Sequence, residues 1–288
     1  MIQFSNITFS YAGSEKTIFK DFNLSFQPGR IYGILGPNGT GKTTLLYICM
    51  GLLQVRKGMV EIDGSNIAKR EHANLKELFI VPEEFELPEM TLHEYVETFR
   101  PFYPHFSDDI LQRCLDEFLL PNDLHINRLS MGQKKKVLMA FALACGTKYL
   151  LMDEPTNGLD IQAKKQFRKV IATNMNDERT IIISTHQVHD VEQLLDHVII
   201  IGNQKPSDSS SVLCDSALPN LTKQYSFTYE PQSPTPSSSY LYSERTAQGY
   251  ATISIRQQDE EETPINLELL YNAVQNGTVQ ITNKTIES

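Results

Sequence analysis

The chain has 288 residues, 40% of them hydrophobic, and a formal net charge of -9 at pH 7. Its length allows one large domain, or one domain with a small appendage, and its composition provides a sizeable core. The acidic balance argues against a nucleic-acid partner, because such binding relies on lysine and arginine to neutralise phosphates.

Cysteine use and hydropathy limit the class of protein further. Cys49, Cys114, Cys145 and Cys214 show no metal-binding spacing, so we expect buried free thiols in a reducing compartment. We expect no signal peptide, and no apolar run reaches the ~18–20 residues of a membrane helix. Work at a membrane would therefore require a separate spanning partner.

Strand patterns dominate the first part of the chain, and helical patterns follow them. Alternating or continuous apolar residues predict strands at 2–9, 22–26, 31–35, 59–62 and 78–81. Helices are predicted from Thr43, at 91–100, at 107–119 and after Ser130. We expect antiparallel strands around a glycine-rich turn, and an inserted helical subdomain over about 83–146.

Strands and helices alternate in the next part of the chain. They are predicted, in chain order, at 148–152, 161–176, 179–184, 188–196 and 198–201. Continuous apolar runs in such an alternation are typical of a parallel sheet covered on both faces. We therefore predict an α/β domain over 1–202.

The composition changes after Gly202. Stretches rich in serine and proline, at 206–211 and 231–239, read as loops or linkers. Between and after them lie the strand patterns 225–229 and 251–255 and a helical pattern near 266–275. They predict a small α+β appendage within 203–288.

Residues 36–44 form the clearest chemical motif, which we call the phosphate loop. The pattern G-x-x-x-x-G-K-[ST] is matched, between a predicted strand and a predicted helix, by Gly36, Pro37, Asn38, Gly39, Thr40, Gly41, Lys42, Thr43 and Thr44. Backbone N–H groups and a helix N-terminus suit nucleotide phosphates. Lys42 would reach the outer phosphates, and Thr43 would bind Mg²⁺. The alternative is a glycine-rich turn without a ligand, which the complete motif and context disfavour.

Polar residues follow two other predicted parallel strands. Asp153 ends one strand and is predicted to hold Mg²⁺, while Glu154 would accept a proton from the attacking water. The alternative for Asp153 is a carboxylate that caps a loop. His186 follows the second strand, and we rank contact with the γ-phosphate first, a role in loop structure second and a metal pair with His189 third.

Two residues are ambiguous by pattern alone. Tyr11, near a strand end, would stack on an adenine or be an ordinary half-buried tyrosine. Ser130 would take part in an anion site or simply cap the following helix. The structural interpretation is favoured for both when each is considered by itself.

The order of the motifs resembles that of an ATP-binding cassette (ABC) ATPase. Tyr11 is followed by the phosphate loop, LSMGQ at 129–133, YLLMDEPTNGLD at 149–160 and then His186. The resemblance covers about residues 1–202, and LSMGQ shortly before LLMDEP is highly specific. It implies that ATP and Mg²⁺ are bound.

The resemblance also implies roles for single residues. Tyr11 would stack on adenine, Glu154 would be the catalytic base, and His186 would be the switch histidine. The loop 157–160 would communicate across a head-to-tail dimer, either a homodimer or a heterodimer.

The LSMGQ residues Ser130, Gly132 and Gln133 would contact the ATP held by the opposite subunit. Two positions depart from the family pattern. Met131 stands where the family usually has glycine, and Glu83 (or Glu84) replaces the loop glutamine. A carboxylate at position 83 can still hold Mg²⁺ or water.

The Pro-Glu-Glu loop, the run Lys134–Lys136 and the short appendage resemble the bacterial ABC-2 type. That type often pairs with a separate integral-membrane permease and exports its cargo. We expect an ATPase subunit on the cytoplasmic face of the plasma (inner) membrane, with a segment around 83–120 docked on the permease. The three lysines read as a solvated helix start, since consecutive residues cannot share one helix face.

Two other classes of protein are weighed against this expectation. A soluble ABC ATPase that acts on ribosomes or DNA usually has two cassettes or a long coiled coil, and neither is present in this sequence. A kinase or GTPase would share only the phosphate loop, and LSMGQ argues against it.

Overall fold

A computed structural model of the protein describes residues 1–203, 209–233, 240–257, 259–279 and 281. It contains a four-stranded antiparallel sheet, a six-stranded mixed sheet, an inserted group of helices and a C-terminal three-stranded sheet. The predicted α/β architecture with an antiparallel β subdomain and a helical insertion is confirmed.

The antiparallel sheet lies beside the phosphate loop. Its strands, in spatial order, are Phe19–Phe26, Ile2–Phe9, Lys57–Ile62 and Ser65–Asn66. Alternate apolar residues of the first two strands face one core, in which Phe4 and Phe26 pack edge to face.

The six-stranded sheet determines where the polar strand ends meet. Its spatial order is Ser211–Ala217, His197–Gly202, Ile31–Leu35, Thr180–Thr185, Tyr149–Asp153 and Leu78–Val81. All neighbours are parallel except the first pair. Leu35 lies opposite Thr185, and Asp153 lies opposite Ser184, so the carboxyl ends of three strands meet at one edge.

The helical insertion consists mainly of Leu92–Phe99, Asp108–Glu117 and Met131–Ala144, which we call the LSMGQ helix. Thr91 and Ser130 each begin a helix with a complete capping box, and Ser107 caps the helix between them. Short hydroxyl side chains therefore fix all three predicted starts.

The remaining helices connect the strands. The α-helices are Lys42–Cys49, His72–Leu75, Ile161–Thr173, Val188–Val191, Leu218–Gln224 and Leu267–Gln275. Short 3₁₀ turns cover Ile67–Lys69, Arg100–Phe102, Ile126–Arg128 and Glu192–Leu194. No helix among the described residues is both long and apolar enough to span a bilayer.

Two predicted helices are shorter than expected. The helix predicted to reach residue 176 ends at Thr173, because Asn174 leaves the helical conformation and its Nδ2 atom donates to the Val170 carbonyl at 2.7 Å. The helix predicted over 188–196 gives way to a 3₁₀ turn and then to an extended Leu195. Leu195 fills the space beside Gly33, where a Cβ atom would lie 2.4 Å from its Cδ1 atom.

The C-terminal part contains a strand that the sequence did not predict. Ser211–Ala217 pairs antiparallel with His197–Gly202 and so extends the central sheet beyond residue 202. His197 Nε2 and Asp215 Oδ1 lie 2.6 Å apart across this pair. Residues 206–208 and 234–239 of the two predicted linkers lie outside the described residues, whereas Ser211, the last residue of the first predicted linker, begins the new strand.

The predicted α+β appendage is confirmed, although the sequence did not predict its strand Tyr240–Thr246 or its helix Leu218–Gln224. The strands are, in spatial order, Tyr225–Glu230, Gly249–Ile255 and Tyr240–Thr246. The helix Leu267–Gln275 buries Leu270 and Val274 in the same apolar cluster as Val188 and Val191. The appendage therefore packs directly on the α/β domain.

All four cysteines are buried and free, as the sequence predicts. Burial raises the pKa of the Cys49 thiol to about 12, and it raises that of Cys114 to about 11. Reactive thiolate is thus scarce near neutral pH.

We expect native protein to resist alkylation by iodoacetamide at pH 8 and to react at all four cysteines once denatured, because burial removes both access and thiolate. Mass spectrometry of timed samples measures the number of adducts. Rapid modification of any one cysteine in native protein would contradict this account of the core.

Candidate nucleotide site

The phosphate loop joins the central strand Ile31–Leu35 to the helix Lys42–Cys49. Gly39 has φ of 81° and Gly41 has φ of 92°, and these left-handed conformations favour glycine. Gly41 is the N-cap of the helix, and within the described residues no side chain caps it. The N–H groups of the first helical turn therefore remain available for an anionic ligand.

The loop is also tightly packed against its surroundings. A Cβ atom on Gly36 would lie 2.6 Å from the carbonyl oxygen of Ile201, and one on Gly41 would lie 2.6 Å from Ile18 Cγ2. Side chains at these two positions would push the loop outward. The motif glycines thus fix both the conformation of the loop and its close approach to the sheet.

Lys42 lies beneath the loop with only 6% of its surface exposed. Its Nζ atom donates to the carbonyl of Gly36 at 2.8 Å and to that of Pro37 at 3.3 Å, and it lies 3.8 Å from Glu154 Oε1. Burial lowers the pKa of Lys42, and the charge of Glu154 chiefly opposes this. The ammonium group is placed to contact the outer phosphates of a nucleotide in the loop.

Thr43 and Asp153 bring together the oxygen ligands that Mg²⁺ prefers. The Thr43 hydroxyl donates to Asp153 Oδ2 at 2.6 Å, and the Ser184 hydroxyl donates to the other carboxylate oxygen. Burial raises the pKa of Asp153, while the hydrogen bonds from Ser184 and Thr43 act in the opposite direction. Among the described residues, no three acidic, histidine or cysteine side chains converge on one point, so Mg²⁺ would take its other ligands from phosphates and water.

Glu154 sits in a left-handed backbone conformation, with φ of 43°, and is 5% exposed. Its Oε1 atom accepts from the backbone N–H of His186 at 3.0 Å and lies 2.7 Å from the ring atom His186 Nδ1. Its Oε2 atom accepts from the Thr185 hydroxyl at 2.9 Å. The structure thus brings Glu154, His186 and Lys42 to one point at the carboxyl ends of the strands.

His189 does not join this group. It is exposed, and its Nδ1 atom lies 3.2 Å from Glu192, whereas His186 contacts Glu154. The two histidines therefore contact different carboxylates. This arrangement gives no support to the metal pair that ranked third among the interpretations of His186.

Tyr11 remains 43% exposed at the start of the loop that follows the first strand. Its hydroxyl forms a 2.8 Å hydrogen bond with Thr44 of the helix Lys42–Cys49, which we call the phosphate-loop helix, and its ring stands edge-on against Phe9. The hydrogen bond ties the ring to the phosphate loop. Part of the ring surface remains open to a ligand such as adenine.

The LSMGQ residues lie at an exposed helix start. Ser130 accepts from the Gln133 N–H at 3.3 Å, and the Gln133 side chain accepts from the Ser130 N–H at 3.0 Å. Met131 is 61% exposed. Among the described residues, no hydrogen bond or ion pair joins Ser130, Gly132 or Gln133 to the phosphate loop, so the two motifs do not meet within one chain.

Glu83 follows the strand Leu78–Val81, as expected, but its contact is with another loop. Its Oε1 atom accepts from Asn157 Nδ2 at 2.8 Å. Within the described residues it makes no hydrogen bond to Thr43 or Asp153. Its predicted role as a Mg²⁺ ligand stays a prediction.

The prediction of a solvated lysine run is wrong for Lys135. This residue is 6% exposed, and its Nζ atom donates to the backbone carbonyls of Glu154 at 2.9 Å and Asn157 at 3.0 Å. Lys136 is also half-buried and donates to Gln166 at 2.9 Å. Three consecutive helical residues point in three directions, so one of them faces inward. The unbroken apolar run after residue 136 is the signal that this helix is enclosed.

Comparison with known proteins agrees with these observations. The family model described as ABC transporter matches residues 19–157. The bacitracin transport ATP-binding protein BcrA of Bacillus licheniformis is 32% identical over 212 residues, which cover 71% of this chain and 68% of the relative. The Nod factor export ATP-binding protein I of Cupriavidus metallidurans is 30% identical over 207 residues, which cover 70% of this chain and 68% of the relative. The matched part spans between 62% and 68% of the length of four such curated relatives.

A solved structure shares the fold as well. The dimeric ATP-binding cassette MJ0796, in a post-hydrolysis state bound to ADP and Pi, is 26% identical with a TM-score of 0.63. The match covers 76% of this chain and 99% of that chain. The chain therefore belongs to the ABC transporter family, as an ATP-binding protein with the cassette fold and the ATPase activity of that family.

Proposed function

We propose that this protein is the ATPase subunit of an exporter, that it binds Mg²⁺ with ATP, and that it works with a separate integral-membrane permease. The observation that carries the site assignment is the convergence of Lys42, Thr43, Asp153, Glu154 and His186 at one edge of the central sheet. A glycine-rich turn without a ligand would not require these buried charges around it.

The chain's own residues supply the binding and the base for hydrolysis. The first turn of the phosphate-loop helix and Lys42 bind the phosphates. Thr43 and Asp153 would hold Mg²⁺, which would neutralise developing charge. Glu154 accepts a proton from the water that attacks the γ-phosphorus atom. His186 orients the Glu154 carboxylate and contacts the γ-phosphate, while Tyr11 stacks on the adenine.

The proposed active form is a head-to-tail dimer. Ser130 and Gln133 are exposed, Gly132 is half-buried, and none of the three has a hydrogen bond or ion pair to a described residue of its own phosphate loop, so they are free to complete the site of a second subunit. The exposed Met131 side chain would sit at this contact, and the residues on either side of it would reach the γ-phosphate. A homodimer would contain two such sites.

The proposed partner and location follow from the family. The described chain has no helix that could span a membrane, so a permease would provide the path. The helical insertion would contact it on the cytoplasmic face of the plasma membrane. The export direction is supported by the Nod factor export relative, since that protein's name states the direction.

Affinity purification from detergent-solubilised membranes tests this function. We expect the tagged chain to recover one polytopic membrane protein and to hydrolyse ATP, with mass spectrometry as the readout. A sample treated with RNase and DNase serves as the control. Recovery with ribosomes or DNA, and with no membrane protein, would favour the soluble class of ABC ATPase instead.

A further inference from the structure

A buried lysine joins two functional loops in a way that the proposed chemistry does not yet use. Lys135 lies one turn into the LSMGQ helix, and its ammonium group is enclosed with 6% of the residue exposed. Isolated buried charges are costly, so such a group is retained with hydrogen-bond acceptors around it. Its acceptors here are the carbonyls of Glu154 and Asn157, at 2.9 and 3.0 Å.

These two carbonyls belong to the turn that carries the proposed base. The backbone N–H of Asn157 also donates to the Glu154 carbonyl, at 3.1 Å, and so closes a turn. Lys135 therefore binds the carbonyls of the first and last residues of this turn. Glu154 has a positive φ within this turn, a conformation that bulky side chains adopt only when the surroundings hold it. The ammonium group supplies part of that restraint.

The same turn is held from a second direction. The Asn157 side chain donates to Glu83 at 2.8 Å, so the loop after the strand Leu78–Val81 is joined to it. Burial lowers the pKa of Lys135, and the charge of Glu83 chiefly opposes this. Lys135, Asn157 and Glu83 thus form a continuous set of contacts within one chain.

We propose that Lys135 is a positioning residue for hydrolysis, and that Lys135, Asn157 and Glu83 form a catalytic-loop latch that holds Glu154 in its active backbone conformation. The latch couples the LSMGQ helix to the catalytic base Glu154 of the same chain, whereas the LSMGQ residues themselves would face a second chain. Movement of either the LSMGQ helix or the Glu83 loop would therefore alter the placement of the base. The proposal rests on the ATPase function and on the assignment of Glu154.

The decisive comparison uses Lys135→Met, Lys135→Arg and Lys134→Met in the full chain. Methionine keeps the length of the side chain but removes the donors, while arginine restores them. Lys134 is half-buried on the same helix, and its side chain makes no hydrogen bond or ion pair with any described residue, which makes it the matched control. We expect Lys135→Met to lower kcat by ~10–100-fold, because small misplacement of a catalytic group has effects of this size.

Three measurements distinguish a positioning role of Lys135 from a general loss of folded structure. In Lys135→Met, the Kd for ATP should stay within about twofold of wild type, since the phosphate-binding groups are untouched. Amide hydrogen exchange over residues 154–160 should rise about tenfold, because the turn opens locally. Lys135→Arg should recover both kcat and slow exchange, and Lys134→Met should match wild type.

Specific results would overturn the latch. Unchanged kcat and unchanged exchange in Lys135→Met would do so, and so would a loss of ATP binding that parallels a fall in Tm. Failure of arginine to restore slow exchange would show that the donors do not matter. A wild-type chain without ATPase activity would refute the proposed function, while the exchange rates would still decide whether the latch exists.

Asn157→Ala tests the contact between Asn157 and Glu83. It removes the side-chain amide but keeps the carbonyl that Lys135 contacts, so we expect a smaller rise in exchange over 154–160 than in Lys135→Met. In the double variant, the rise in exchange should be larger than in either single variant but smaller than the sum of the two single rises, because both contacts hold the same turn. Full additivity would mean that the Lys135 contacts and the contact between Asn157 and Glu83 act independently, contrary to the proposal.

Discussion

Glu154→Gln is expected to abolish most ATP hydrolysis while leaving ATP binding intact. A general base contributes ~10²–10⁴-fold to the rate, and an amide cannot accept the proton of the attacking water. Glutamine nearly matches the shape of glutamate, so its carbonyl oxygen can still accept from Thr185 or His186. Phosphate release measures the rate, and equilibrium binding of a fluorescent ATP analogue measures the affinity.

A second readout of Glu154→Gln addresses the proposed dimer. With hydrolysis blocked, ATP should remain between two chains, and the chain should elute as a dimer with ATP and as a monomer with ADP. Glu178→Gln is the matched control, because Glu178 is exposed at the opposite end of the strand Thr180–Thr185. Hydrolysis by Glu154→Gln at the wild-type rate would remove Glu154 from the role of base.

Lys42→Ala is expected to weaken ATP binding by about 10- to 100-fold. Hydrogen bonds from a charged donor contribute about 1.5–3 kcal/mol, and each 1.4 kcal/mol corresponds to a factor of ten. The loss should be smaller for ADP than for ATP, because Lys42 is predicted to reach the outer phosphates. Isothermal titration with both nucleotides measures this difference.

The control for Lys42→Ala removes the same charge nearby without touching the loop. Lys20 is exposed on the strand Phe19–Phe26, whose Phe19 ring packs beside Gly41. Lys20→Ala should bind ATP as wild type does. If Lys42→Ala kept the wild-type affinity, the assignment of the phosphate loop would be wrong.

The sequence predicts those residues of the candidate site that belong to a local pattern. A glycine-rich turn between a strand and a helix has few possible geometries, so the phosphate loop was recognisable before the fold was known. The same holds for Asp153 and His186, because the carboxyl ends of parallel strands meet at one edge. The capped starts at Thr91 and Ser130 are likewise local features.

The missed features depend on tertiary packing instead. Nothing local decides which of three consecutive lysines faces inward, and the sequence alone therefore predicts that Lys135 is solvated. The contact between Glu83 and Asn157 joins two loops that are 74 residues apart in sequence. The strand Ser211–Ala217 follows a serine-rich stretch, and it pairs with the edge of His197–Gly202, which local sequence does not reveal.

That last strand has a consequence for how the domain can be shortened. The neighbouring strand His197–Gly202 is almost entirely apolar and buried, and without a partner its backbone N–H and C=O groups would be open to pairing with other molecules. Ser211–Ala217 pairs with that edge, and the contact between His197 and Asp215 joins the two strands where His197–Gly202 begins. A protein truncated after residue 202 would expose an aggregation-prone strand edge. A shortened ATPase domain should therefore include residues up to at least Ala217.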